Sequence, residues 1–382
     1  MDSFTETTRT SWFSRLGKSL GGIFVGLALF LAAFPVLVSN ERSEVRRIKG
    51  LNEGMAQVIT VPADRIDPSN EGKLVLVSGT AVTEDILRDP EFGLAAKGVR
   101  LERTVEMFQW RESSSSETKT KLGGGTETVT TYRYDKAWSS GLVSSSSFKQ
   151  PAGHANPSSF PVTGKTWTAQ TVTLGSFSLN PGQIARVGRS ERLGAAELEV
   201  LPATVRRSYR PAGDVLYRGI DPSNPQVGDV RVSFSLTRPG PVTVAARQSG
   251  GSFDPFPTRT TTIDLLKNQD MTSEQIFEAS KNERYVLSWI LRVLGLLMMV
   301  IGLTLILKPV STVMDVIPLL GRISGGLLGF AAFLLGLGFA FITISIAWVA
   351  FRPLVGIPLL AAGLAVLILP RVLSAKRQTA SG

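Results

Sequence analysis

The stretch LGGIFVGLALFLAAFPVLVS, residues 20–39, decides the architecture of this chain, because it carries no charged residue over its whole length. Its residues, at about 1.5 Å each along a helix, cover about 30 Å, the thickness of a bilayer's hydrocarbon core. Arg15 and Lys18 precede it, and no small-residue cleavage site follows Leu37, Val38 and Ser39. The run is also longer than a signal-peptide core. It therefore reads as an uncleaved signal-anchor helix.

Outward from this run, the C-terminal third repeats the signal. Tyr285–Leu307, Ile323–Phe351 and Leu354–Leu369 are apolar, and the second of these is long enough to tilt. Arg352 and Pro353 read as a tight turn between the last two, since Pro breaks a helix and Arg reaches back to the interface. The expected fold is four transmembrane α-helices plus a large β-rich (α+β) extramembrane domain between spans one and two. The expected order is a cytoplasmic segment 1–19, span 20–39, an exported domain 40–284 and span 285–307. A cytoplasmic loop 308–322, spans 323–351 and 354–369, and a cytoplasmic tail 370–382 follow. Lys and Arg near the helix ends number eight on one side and seven on the other, which does not orient the protein.

The 382 residues are 43% hydrophobic and 19% charged, but the two kinds are segregated along the chain. Residues 40–284 hold 31 Lys/Arg and 28 Asp/Glu, so they supply only +3 of the net +10. That balance argues against nucleic acid as a partner and for contact of the flanking basic residues with anionic lipid. Cysteine is absent, which excludes a disulfide framework and a thiolate metal site. A large exported domain without disulfides suits a bacterial envelope.

Small residues four apart let helix backbones approach. Gly22 and Gly26 make one such pair, and Gly321, Gly325 and Gly329 make a double one. They are candidates for helix packing within the chain or for oligomer contact. Arg42, Arg46, Arg47, Lys49 and Arg284 flank the apolar runs and are expected to face lipid. Arg292 lies about two turns inside its span; the expectation is that it snorkels to the exported face, toward Glu283 or a lipid phosphate. Asp315 falls in a loop, where a solvated carboxylate is expected.

Between the membrane runs, Val45, Ile48, Leu51, Met55 and Val58 recur at helical steps, predicting an amphipathic helix over 41–58, on the membrane surface or against the domain core. Lys73–Gly79 predicts a strand. Val99–Trp110 and Thr126–Trp138 alternate and predict a hairpin whose tip includes Ser113–Ser116 and Gly123–Gly125. Val230–Leu236 and Val242–Arg247 predict a second hairpin around Arg238, Pro239, Gly240 and Pro241. Thr272 with Gln275 predicts a capped helix leading into Tyr285.

His154 is the sole histidine, in a turn-like Gly153-His154-Ala155-Asn156-Pro157. A histidine metal site needs several ligands, and a serine triad would need a nucleophile elbow; neither pattern is present. No phosphate-cradling loop or zinc-protease motif occurs. No catalytic residue, metal ligand or cofactor is expected.

Several blocks resemble one family in order. They are Gly21-Gly22-Ile23-Phe24-Val25-Gly26-Leu27 with Ser39-Asn40-Glu41, Asn70-Glu71-Gly72-Lys73-Leu74-Val75 and Leu87-Arg88-Asp89-Pro90. Val105-Glu106-Met107-Phe108-Gln109-Trp110, the segment around His154, Val227–Ser235, Val242–Gln248 and Arg352-Pro353-Leu354 continue the series. Together they resemble the LUMA (transmembrane protein 43) family over nearly the whole chain. The resemblance implies four spans, termini on the cytoplasmic side, a large lumenal loop, self-association and no established enzymatic activity. It implies the endoplasmic reticulum and inner nuclear membrane, with lamin and emerin as partners, for animal members. For a bacterial chain only the architecture and the self-association transfer, without lamin or emerin, and the favoured location is a bacterial inner membrane with a periplasmic domain. The expected function is a non-enzymatic membrane scaffold that self-associates and organises envelope proteins, with membrane lipids and other membrane proteins as partners. The alternative is a lipid-binding protein or enzyme with a site at the domain–bilayer boundary.

Overall fold

The computed structural model describes residues 2–195, 201–349 and 353–379. They form two compact units: a β unit of residues 1–4, 50–115 and 131–280, and a helical unit of residues 5–49, 116–130 and 281–382.

The β unit is built on two sheets. In the first, strands β1 (Asp2–Thr10), β4 (Thr126–Ser139), β3 (Arg100–Thr120) and β5 (Val230–Thr237) lie side by side. In the second, β2 (Leu74–Val82) pairs antiparallel with β6 (Pro241–Ser249), Val77 opposite Val244. Strand β2 explains its own composition. Val75 and Val77 enter the main core, shared with Leu101, Val105, Val232 and Phe234 of the first sheet. Leu74 and Leu76 point the other way, into a smaller core with Leu51, Ile276 and Phe277. A strand covered on both faces needs an unbroken apolar run, and Leu74–Val77 is one.

The expected hairpin between Val230–Leu236 and Val242–Arg247 does not form. Both strands exist, but β5 pairs with β3, and β6 pairs with β2 in the other sheet. Arg238–Gly240 carry the chain from one sheet to the other; Pro239, lacking an N–H, fits a connection better than a ladder. The β3–β4 hairpin does form. Its outer half is a polar ribbon in which Ser116 bonds Thr130 and Thr118 bonds Thr128 through their hydroxyls, both at 2.9 Å.

The helical unit begins with α1 (Trp12–Met55), one helix of 44 residues. The predicted span and amphipathic helix are thus continuous. Val45 and Leu51 are buried, and Met55 and Val58 pack on the smaller β-unit core, so the end of this stripe faces protein and not a membrane surface. Helix α2 (Ser273–Glu283) starts with the predicted box: Thr272 N–H donates to Gln275 Oε1 at 2.9 Å, and Gln275 N–H to Thr272 Oγ1 at 3.4 Å. Then come α3 (Tyr285–Met314), α4 (Pro318–Val349) and α5 (Pro353–Thr379). By length and composition three helical stretches can cross a bilayer: Trp12–Met55, Ser273–Met314 and Ile323–Val349. The apolar part of α5, Leu354–Val366, is shorter. The turn expected at Arg352 and Pro353 falls against residues 350–352, outside the described residues.

Candidate functional site

Helices α1, α3 and α4 meet around a buried ion pair. Glu41, 1% exposed, accepts from Arg292 Nε at 2.6 Å and from Arg292 Nη2 at 3.0 Å. The Trp348 indole N–H also donates to Glu41 Oε2. The Arg292 guanidinium lies over the rings of Trp289, at 4.9 Å, and Trp348, at 5.5 Å. One residue back on α1, Asn40 Nδ2 donates to the Ser288 carbonyl at 3.2 Å and to its hydroxyl at 3.1 Å. A charge among apolar helices is costly unless paired and hydrogen-bonded, and the donors of Arg292 and Trp348 converge on one carboxylate. The expectation of a snorkelling Arg292 is corrected: its partner is Glu41, not Glu283 or lipid. Residue spacing could not show this, because the partners are 251 positions apart. A usable signal existed nonetheless. A buried arginine requires a counter-charge, and Glu41 is the first acid after the residue 20–39 run.

Apolar packing continues below the pair, where Ala33, Leu37, Met299, Ala340 and Ile344 form a core bordered by Phe30, Phe34 and Phe339. Gly26 of α1 and Gly302 of α3 face each other there. A Cβ on Gly26 would stand 2.6 Å from the Gly302 carbonyl oxygen, and one on Gly302 would stand 2.7 Å from the Gly26 oxygen. Gly22 meets only Leu305, at 4.0 Å. On α4, Gly321 abuts Asp315, Gly325 reaches Ser311 at 4.0 Å, and among the described residues a Cβ on Gly326 or Gly329 would meet nothing within 4 Å. The five candidate glycines therefore divide. Gly26 and Gly321 are filled in by this chain; Gly329 is not.

The basic candidates divide as well. Arg42, Arg46, Lys49 and Arg284 are exposed. Arg47 is not lipid-facing: it turns onto Glu44, with Nη2 to Oε1 at 2.9 Å, and onto the Lys281 carbonyl at 2.7 Å. Alongside, Tyr285 and Trp289 stand exposed on α3, where aromatic residues mark a membrane–water interface.

A second polar cluster closes the other end of the helical unit. Arg15 donates to Asp315 and to the Gly124 carbonyl, the Trp12 indole to the Thr312 carbonyl at 2.8 Å, and Gly123 N–H to the Val316 carbonyl at 3.2 Å. Asp315 is thus paired rather than solvated. Arg15 and Glu41 are 26 positions apart on one helix, about 39 Å, which exceeds the bilayer's hydrocarbon thickness. So the hairpin tip, part of the segment expected on the exported side, touches helix ends expected on the cytoplasmic side.

In the β unit His154 is buried. Its ring stacks on Tyr134 with centroids 3.9 Å apart and meets Trp110 edge-on at 4.7 Å, while Nδ1 lies 2.9 Å from the Gln150 carbonyl. Asn156 ties the same turn to Trp110, donating through Nδ2 to its carbonyl at 2.9 Å and accepting from its N–H at 2.7 Å. The Tyr134 hydroxyl donates to Glu112 at 2.7 Å, and burial followed by that carboxylate pushes the phenol pKa up. This geometry locks a turn. Among the described residues no group of three His, Asp or Glu side chains could hold a metal ion.

Apolar helices of membrane-crossing length, joined by a buried ion pair and carrying a β-rich domain, define an integral membrane protein. The family model described as Transmembrane protein 43 matches residues 107–353. Transmembrane protein 43 of Homo sapiens is 34% identical over 372 residues, covering 94% of this chain and 91% of that protein. The protein of the same name from Rattus norvegicus is 34% identical over 363 residues, covering 92% and 89%. The Transmembrane protein 43 homolog of Drosophila melanogaster is 28% identical over 377 residues, covering 95% of each. No solved structure matches. The chain belongs to the transmembrane protein 43 family.

Proposed function

We propose that this protein is a non-enzymatic membrane scaffold: four spans, the fourth in α5, anchor a β-rich domain, and the chain self-associates through α4 to organise other membrane proteins. The observation that carries this reading is the open glycine face of α4. Among the described residues a Cβ on Gly326 or Gly329 would meet nothing within 4 Å, so a second helix could approach their backbone closely. The twice-anchored domain suits an organising role, on the periplasmic face of a bacterial inner membrane or, in eukaryotic relatives, at the endoplasmic reticulum and inner nuclear membrane.

The test is the mass of the protein in detergent by light scattering. The expected result is an oligomer that Gly329→Leu reduces to a folded monomer. Gly26→Leu, by contrast, should disrupt the helical unit, because that site is already full. A wild-type protein that is monomeric in detergent and uncrosslinked in native membranes overturns the self-association.

A further inference from the structure

Beside the Asn40–Ser288 contact, α1 and α3 enclose a cavity of about 200 Å³. Its floor is apolar: Val36, Leu287 and Leu291. Its rim is polar, with the hydroxyls of Ser39 and Ser43 and the guanidinium of Arg284. Among the described residues these three side chains have no hydrogen-bond or ionic partner. The acid on the same rim, Glu44, is neutralised by Arg47 at 2.9 Å. The rim therefore carries one uncompensated positive charge and two hydroxyl donors above a greasy floor.

We propose that this cavity holds the phosphate group of an anionic phospholipid. Arginine binds phosphate oxygens through two parallel N–H donors, and serine hydroxyls complete such a site. The depth is right: Tyr285 and Trp289, the interface markers of α3, bracket Leu287 and Ser288. Below the rim the floor continues into the exposed apolar face of Ile290, Leu294 and Leu297, against which an acyl chain can lie. Arg42 stands exposed nearby on α1, and its charge disfavours a headgroup that bears its own cation. The bound lipid would bridge α1 and α3 next to the Glu41–Arg292 pair. This inference does not depend on self-association.

The full-length protein in neutral detergent tests it by thermal melting with added phosphatidylglycerol, phosphatidylcholine or inorganic phosphate. Phosphatidylglycerol is expected to raise the melting temperature saturably, and phosphatidylcholine to do so far less. Arg284→Ala with Ser43→Ala should weaken the phosphatidylglycerol response about tenfold in half-saturating concentration, the scale of one charge-assisted contact. Arg42→Ala should narrow the preference for phosphatidylglycerol over phosphatidylcholine, since that charge helps to exclude a headgroup cation. Because the side chains of Arg284 and Ser43 have no partner among the described residues, their variants should match wild type in circular dichroism and elution. Equal responses from wild type and the double variant overturn the site, as does an equal response to phosphatidylcholine. A shift with inorganic phosphate at the same concentration overturns the lipid as occupant and assigns the cavity to a soluble anion.

Discussion

Arg103 in the β unit and Arg292 in the helical unit are both withdrawn from water onto a carboxylate, and they differ in what else surrounds them. Arg103, with a side chain 1% exposed, takes Asp89 through Nη1 at 2.8 and 3.0 Å, donates from Nε to the Thr163 carbonyl, and lies over Phe92 and Trp167. Its main partner is 14 positions away. Arg292, 13% exposed, reaches 251 positions to Glu41 and draws a third helix in through Trp348. The first pair fixes one corner of a domain whose apolar cores already specify it. The second orders helices that are greasy all round, between which hydrophobicity alone gives no preference. The same chemistry serves rigidity in one unit and register in the other.

The most drastic test of this contrast asks whether the helical unit lies across lipid at all. The chain contains no cysteine, so single cysteines report without interference. Leu122→Cys at the hairpin tip and Ile220→Cys in the β unit replace side chains 89% and 85% exposed. Both should react with a membrane-impermeant thiol reagent from the same face, all or none, because the polar hairpin cannot cross hydrocarbon. Ser14→Cys then separates the alternatives. Reaction from that face too means that the Arg15–Asp315 end shares the side of the tip and residues 20–39 do not cross. Protection means that they cross and that the tip stands on the opposite face from Arg15 and Asp315. Labelling of Leu122 and Ile220 from opposite faces would sink the argument.

Next in size is Arg103→Met. It strands Asp89, whose side chain is fully buried, and breaking such a pair from one side costs about 3–5 kcal/mol. The urea midpoint of β-unit unfolding should fall accordingly, and a variant within about 0.5 kcal/mol of wild type would contradict the assigned burial. Glu41→Gln should cost less, about 1–2 kcal/mol, because the freed Arg292 can extend toward the interface. Glu41→Gln with Arg292→Gln should regain part of that loss, since no charge is then left unpaired. Additive losses in the double variant would show that the two residues act independently.

Much of this was legible in sequence, for identifiable reasons. A charge-free run such as residues 20–39 has few alternatives, and the alternation of Leu101, Val105 and Met107 fixes a strand and its buried face. The Thr272–Gln275 cap is local, so its residues suffice to specify it. What stayed hidden was non-local. Val230–Thr237 and Pro241–Ser249 carry the signature of paired strands, yet their partners lie in different sheets, a choice made by packing and not by the three-residue spacing. Arg292 calls for a counter-charge and Glu41 is the first acid after residues 20–39, but Asp315 announces no partner, because nothing in the run of residues records which helices will be neighbours.

The smallest expected effect separates the two units by pH. Tyr217, 2% exposed in the β unit, donates its hydroxyl to Asp229, and the Asp221 carbonyl oxygen lies 3.0 Å from the same oxygen. Burial, then the Asp229 carboxylate, pushes its pKa well above the ordinary phenol value. Tyr134 is raised for the same kinds of reason. In the unfolded chain these phenols ionise near pH 10. Below that both states are protonated and the shift contributes nothing to pH dependence. Above it the unfolded state loses protons that the folded state keeps, so stability falls as pH rises through and beyond the ordinary tyrosine range. The helical unit's only tyrosine is the exposed Tyr285. Alkaline titration should therefore loosen the β unit first. Tyr217→Phe should cost about 1 kcal/mol at neutral pH through the lost hydrogen bond, and should flatten the decline above pH 10. An unchanged alkaline slope in Tyr217→Phe would mean that the phenol is not held protonated by the fold.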